Sequence, residues 1–149
     1  MRAYIGLGSN LGEREQTLRV ALERLSASPE VEVVAVSSFR ETEPVGPVRD
    51  QPRFLNGAAA VETTLGARAL LRLLLQLEAE LGRTRDGPPG GPRTVDLDLL
   101  LYGEQHIDEP GLQVPHPRLH ERPFVLEPLE ELGWTPIARG YTGSDEPPR

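Results

Sequence analysis

The chain contains no cysteine and no lysine. The first absence excludes a disulfide framework, a cysteine zinc site and a thiol nucleophile. The second excludes a Walker-type phosphate lysine, a Schiff base and a lysine general base, so all 16 basic side chains are guanidinium groups. Long apolar runs are missing too: stretches such as Leu99 to Leu101 fall far short of a membrane span. Met1-Arg2-Ala3-Tyr4-Ile5 is too brief and wrongly ordered for a signal peptide, and the expectation is a cytoplasmic protein. There is no excess of positive charge either. A formal net charge of -7 argues against general nucleic-acid or membrane-surface binding, so an anionic ligand must meet a local arginine cluster. The length of 149 residues predicts one domain over 1–149, with a frayed tail over 140–149.

Ala3-Tyr4-Ile5-Gly6-Leu7-Gly8 predicts a short buried strand, and Ser9-Asn10-Leu11-Gly12 the turn into a helix. That helix presents Leu18, Ala21, Leu22 and Leu25 on one face and ends near Ser26. The glycines invite a dinucleotide-binding reading. Their spacing is G-x-G-x-x-x-G rather than G-x-G-x-x-G, and the second strand has no acid at its far end for a ribose. A close-packed strand-to-helix turn accounts for them.

Val31 to Phe39 is β-branched and alternating, which predicts a second strand. The segment from Glu41 to Arg53 carries Pro44, Pro47 and Pro52, and a loop of that length inside a compact domain is usually functional or disordered. Phe54-Leu55-Asn56 opens a third strand running to about Thr63, with Phe54 and Asn56 on one face. An aromatic and an amide placed so can stack on and hydrogen-bond a flat heterocycle, against the plainer reading of a core Phe and a loop-tying Asn. Ala67 to Leu81 predicts a helix stopped by Gly82, its apolar side formed by Leu70, Leu71, Leu74, Leu77, Glu78 and Leu81. Glu78 is a candidate ligand for a hydroxyl or else a solvated helix-edge carboxylate.

Arg83 to Arg93 holds three arginines, three glycines and three prolines, the composition of a mobile loop carrying cations. It feeds Val95-Asp96-Leu97-Asp98-Leu99-Leu100-Leu101-Tyr102. As a strand this places Val95, Leu97, Leu99 and Leu101 on one face and Asp96, Asp98, Leu100 and Tyr102 on the other. Two carboxylates roughly 7 Å apart on one face repel unless a cation lies between them. Magnesium suits, because it takes one or two carboxylates and fills its remaining positions with water and phosphate oxygens. Gly103 to Leu112 reads as a polar connection. His116 follows, fixed between Pro115 and Pro117, with Arg122 and Phe124 close behind, a candidate for contacting a phosphate. A last short helix is expected over about 123–132. The resulting β-α-β-β-α-β order predicts an α+β, ferredoxin-like antiparallel sheet with packed helices and an appended C-terminal helical segment.

With these motifs in hand, the chain resembles the 6-hydroxymethyl-7,8-dihydropterin pyrophosphokinases of folate synthesis. The likeness rests on Tyr4-Ile5-Gly6-Leu7-Gly8-Ser9-Asn10-Leu11-Gly12, on Phe54-Leu55-Asn56, on Gly91-Pro92-Arg93-Thr94-Val95-Asp96-Leu97-Asp98 and on Val114-Pro115-His116-Pro117. It implies transfer of the β,γ-diphosphate of ATP to the pterin's 6-hydroxymethyl oxygen, with release of AMP. It also implies two Mg²⁺ ions on Asp96 and Asp98, and Arg83 and Arg93 gripping phosphate oxygens with Arg85 helping and His116 on the nucleotide's phosphates. By the same likeness Phe54 and Phe124 sandwich the pterin, while Asn56 and the backbone around Thr42 and Val45 read its edge. Glu78, Leu99, Gln113 and Arg122 fall at positions resembling the ATP site, and a monomer is the family expectation.

Three departures stand out. Gly90 replaces a tryptophan that many relatives carry before the Gly-Pro-Arg, Phe54 replaces a tyrosine, and Gly111 replaces an arginine near the ATP. The rival readings are a non-catalytic ferredoxin-like module for RNA or a small ligand, and a phosphohydrolase using water as acceptor. An RNA-binding sheet needs a basic, aromatic face, whereas this one carries two aspartates.

Overall fold

The computed structural model describes residues 1–10, 13–42, 53–81, 95–117, 119 and 123–134. Small and aliphatic residues alternate along β1 (Arg2–Ser9), which makes it a two-faced strand able to be buried on both sides. It sits between β4 (Phe54–Thr63) and β5 (Asp96–Tyr102), antiparallel to both. β2 (Val31–Val36) lies outside β4, so the path is β2-β4-β1-β5, and β3 (Arg40–Thr42) pairs with the start of β4. The architecture is α+β, an antiparallel sheet with three helices among the described residues.

One face carries Ala3, Ile5, Leu7, Ala59, Val61, Leu97 and Leu99. Against it pack Leu18, Ala21 and Leu25 of α1 (Arg14–Ser26) and Leu70, Leu74 and Leu77 of α2 (Ala67–Glu80), on the helical spacing the sequence predicts. Each fully buried leucine contributes about 1.5–3 kcal/mol, so this layer is the main adhesive of the fold. The other face carries Tyr4, Ala58, Ala60, Leu100 and Leu101, covered by Leu119, Leu129 and Trp134 from the region of α3 (Pro123–Glu131). That second layer covers only the Tyr4 end of β1. Among the described residues no helix is long and apolar enough to cross a membrane.

Three expectations are corrected. The alternation predicted through Tyr102 breaks after Leu99. Tyr4 pairs with Leu101 while Ile5 pairs with Leu99, so Leu100 is an extra residue, and both Leu100 and Leu101 face the α3 side. Tyr102 returns to the α2 side, where its hydroxyl donates to the Leu65 carbonyl at 2.6 Å. The second strand stops at Val36 rather than Phe39, because Ser37 uses both backbone and hydroxyl to tie itself to Ala58 and the chain turns into β3. Finally, the polar connection after Gly103 contains a hairpin, β6 (Ile107–Glu109) and β7 (Leu112–Val114). Its two-residue turn is Pro110-Gly111, with Gly111 at φ +77°, the positive value a glycine supplies after a turn proline.

Candidate active site

Two rows of residues cross the second face, one of them running through Ala58 inside the α3 layer. Gly8 of β1 pairs with Asn56 on one side and Asp96 on the other, and Gly6 pairs with Ala58 and Asp98. Cross-strand partners share a face. The centre is therefore a floor of glycine and alanine without long side chains, with the amide of Asn56 at one margin and the two carboxylates at the other. Two strand spacings separate those margins, about 10 Å.

The glycine at position 8 leaves room for the Asn56 side chain. A Cβ there would lie 2.8 Å from Asn56 Oδ1, closer than real side chains approach. The Asn56 amide thus leans over the place a side chain would fill. From there Asn56 Nδ2 donates to Thr42 Oγ1 at 2.5 Å, joining β4 to the end of β3. Thr42 pairs with Phe54, so Thr42, Phe54 and Asn56 are gathered at one corner, Phe54 half-buried. Arg14, which sequence reasoning passed over, braces this corner. It donates to Glu41 Oε2 at 2.6 Å and to the Arg53 carbonyl at 2.7 Å, and the Arg14 guanidinium holds the Glu41 carboxyl below its ordinary value.

On the acidic side β5 is the edge of the sheet, and against it opens a cavity of about 320 Å³. Asp98, Leu99, Glu78, Gln113 and His116 all line it, together with Leu71, Leu75, Gly111 and Leu112. Five residues singled out from the sequence are thereby brought to one space. Glu78 is not the solvated helix-edge glutamate of the plainer reading. It is buried, and its Oε2 accepts the Leu97 N–H at 2.7 Å. An edge strand has backbone donors facing outward, and this carboxylate satisfies the one that lies between the two aspartates. The His116 N–H donates to the Leu100 carbonyl at 2.9 Å, and the Leu119 N–H donates to the His116 carbonyl at 3.0 Å, so the backbone as well as the flanking prolines fixes His116. Gln113 Nε2 donates to Asp108 Oδ1 across the hairpin.

Val45, Arg83, Arg85, Arg93 and Arg122 lie outside the described residues, as does the side chain of Phe124 at the start of α3. Asp96 is half-buried and Asp98 exposed, both on one strand face above glycine, with only oxygen donors. Among the described residues no group of three or more acids or histidines could cage a metal. That donor set fits a magnesium ion that keeps water and phosphate oxygens, and does not fit an all-protein calcium cage. The resources sequence reasoning missed are Arg14 and the role of Gly8. The Gly6-Leu7-Gly8 spacing was the available signal, since alternate glycines in a strand mark close approach on one face.

Residues 4–133 match the family described as 7,8-dihydro-6-hydroxymethylpterin-pyrophosphokinase. A protein of Pseudomonas aeruginosa named 2-amino-4-hydroxy-6-hydroxymethyldihydropteridine pyrophosphokinase is 49% identical over 131 residues, 88% of this chain and 80% of that one. One of the same name from Bacillus subtilis is 52% identical over 130 residues, covering 87% of this chain and 77% of the relative. An Arabidopsis thaliana protein named folate synthesis bifunctional protein is 47% identical over 86% of this chain, a span that covers 26% of that longer protein. With the match spanning nearly all of both faces of the sheet, the chain belongs to the 7,8-dihydro-6-hydroxymethylpterin-pyrophosphokinase family.

Proposed function

We propose that this pyrophosphokinase moves the β,γ-diphosphate of ATP onto the 6-hydroxymethyl oxygen of 6-hydroxymethyl-7,8-dihydropterin and releases AMP. The observation that carries the reading is the pair of cross-strand rows, Asn56-Gly8-Asp96 and Ala58-Gly6-Asp98, which meets the edge cavity at Asp98. A flat acceptor lies on the glycine floor with its ring edge at Asn56 and Thr42, and its hydroxymethyl arm points toward Asp96. Phe54 and Phe124 stack on the ring, and Val45 contributes backbone to its edge. The nucleotide occupies the cavity, with Leu99, Gln113 and Glu78 around its base and sugar and His116 at its phosphates. Arg83, Arg85, Arg93 and Arg122 supply guanidinium groups to the phosphate oxygens, the geometry-matched cation in a chain without lysine.

Asp96 and Asp98 would hold two magnesium ions, which would supply charge neutralisation for the triphosphate. The chain's own part is placement. Diphosphoryl transfer needs in-line approach and charge neutralisation more than covalent help, and a bound acceptor that displaces water from the floor also removes the competing nucleophile. Glu78 serves this placement by fixing the Leu97 backbone, and hence the spacing of the aspartates. The strand order β2-β4-β1-β5 with α1 and α2 on one face supports a ferredoxin-like topology with α3 appended. We read the chain as one domain acting as a cytoplasmic monomer.

The test is product analysis. Purified protein given MgATP and the reduced pterin forms AMP and a pterin diphosphate, and forms neither without the pterin. ADP as product, or phosphate release that ignores the pterin, overturns the reading. Asp98→Asn lowers kcat by about a thousandfold or more with folding unchanged, because a neutral amide cannot hold the cation. AMP formation near the parent rate in that variant removes Asp98 from the metal site.

A further inference from the structure

Gly111, Leu112 and Gln113 form one wall of the edge cavity, and all three belong to the turn and second strand of the β6–β7 hairpin. Strands of three residues are too short to hold their own geometry. Leu112 and Val114 anchor β7 by burial against the main core, but Pro110 and Gly111, at the tip, have no such anchor and are exposed. The tip is held from the other side of the cavity. Arg68, one turn before Leu71 on α2, donates from Nη1 to the Pro110 carbonyl at 3.1 Å and from Nη2 to Glu109 Oε1 at 2.8 Å. A Cβ built on Gly111 would lie 3.8 Å from Arg68 Nη1, so the guanidinium stands at the cavity rim itself.

We propose that Arg68 is a positioning residue that sets the width of the nucleotide cavity by strapping the Pro110-Gly111 tip to α2. The inference rests on the reading of this cavity as the ATP site. Without the strap the buried leucine and valine still hold β7, so the fold persists while the wall bearing Gly111 and Gln113 moves away from Leu71 and Leu75. The half-exposed ion pair is screened by solvent, which limits the expected effect to a modest one.

In Arg68→Met the KM for ATP rises about three- to tenfold, while the KM for the pterin and kcat stay within about twofold and the melting temperature barely moves. Glu109→Gln, which removes the ion pair from the opposite side, reproduces the shift more weakly. Equal rises in both KM values, or an unchanged KM for ATP in both variants, overturn the strap. Hydrogen exchange on the parent protein separates this from failure of the site assignment. A non-hydrolysable ATP analogue slows exchange of the Leu112 and Gln113 amides if the cavity holds the nucleotide. Protection absent there overturns the ATP reading and the strap together, whereas protection present with unchanged variants overturns the strap alone.

Discussion

Replacing a glycine in the interior of a strand by alanine ordinarily stabilises, because glycine loses more backbone freedom on folding, a difference of roughly 0.5–1 kcal/mol. Gly8 should break that rule in function. Its added Cβ meets Asn56 Oδ1 at 2.8 Å, and the easiest escape is for the Asn56 side chain to swing off Thr42. Gly8→Ala is expected to raise the KM for the pterin about five- to tenfold, the worth of one neutral hydrogen bond, with thermal stability held or slightly raised. Titrating the pterin at saturating ATP checks it. An unchanged KM would show that the amide does not face the acceptor. Gly6 is a different case on the same strand, because a Cβ there presses on Leu100 at 3.3 Å within the α3 layer. Gly6→Ala should therefore act through packing, with a cost on the order of 1–3 kcal/mol if Leu100 cannot give way. Sequence periodicity puts both glycines on one face. It cannot say that one meets the Asn56 amide and the other a core leucine.

Elements that were legible in the sequence are those long enough to show a period. Leu18, Ala21 and Leu25 announce α1, Leu70, Leu74 and Leu77 announce α2, and ten residues from Phe54 to Thr63 announce β4. The hairpin β6–β7 has three residues a side, which is less than two periods, although Pro110-Gly111 was a turn signal in plain view. The bulge at Leu100 was hidden because four successive apolar residues, Leu99 to Tyr102, fit either phase of alternation. The burial of Glu78 is not legible in the sequence, because its partner, the Leu97 N–H, belongs to a strand edge that exists only after the sheet is assembled. At this scale the second apolar layer is testable. Leu129 is fully buried between α3 and the sheet, and Leu129→Ala should cost about 2–5 kcal/mol in a denaturant titration. A loss under about 1 kcal/mol would mean α3 is not packed on Tyr4 and Leu100.

Three carboxylates tie distant parts of the molecule together. Glu41 is hydrogen-bonded to Arg14 across the β3–α1 gap, and Glu62 to Arg2 across the β1–β4 pair. Glu131 accepts from the Ser38 N–H and hydroxyl at 2.8 Å each and from Arg40 at 2.7 Å, fastening the end of α3 to the strand connection. Hydrogen bonds from Arg14, Arg2 and Ser38 respectively hold each carboxyl below the ordinary glutamate value of 4.5. Each group therefore binds its proton more weakly folded than unfolded, and in the acid range the unfolded chain takes up more protons. The stability they add is complete above the unfolded value and is lost as pH falls through the lower folded values. Melting temperature should accordingly change little between pH 8 and pH 6 and fall modestly below about pH 4.5. Glu131→Gln keeps the shape of the α3 contact and removes one titrating site, so its acid drop should be shallower than the parent's while its neutral melting temperature is lower. Because these pairs are solvent-facing, raising the salt concentration at pH 7 should narrow the gap between variant and parent. A Glu131→Gln curve parallel to the parent's at every pH would show that the carboxylate charge does not fasten α3, and that the apolar layer around Leu129 and Trp134 carries that contact.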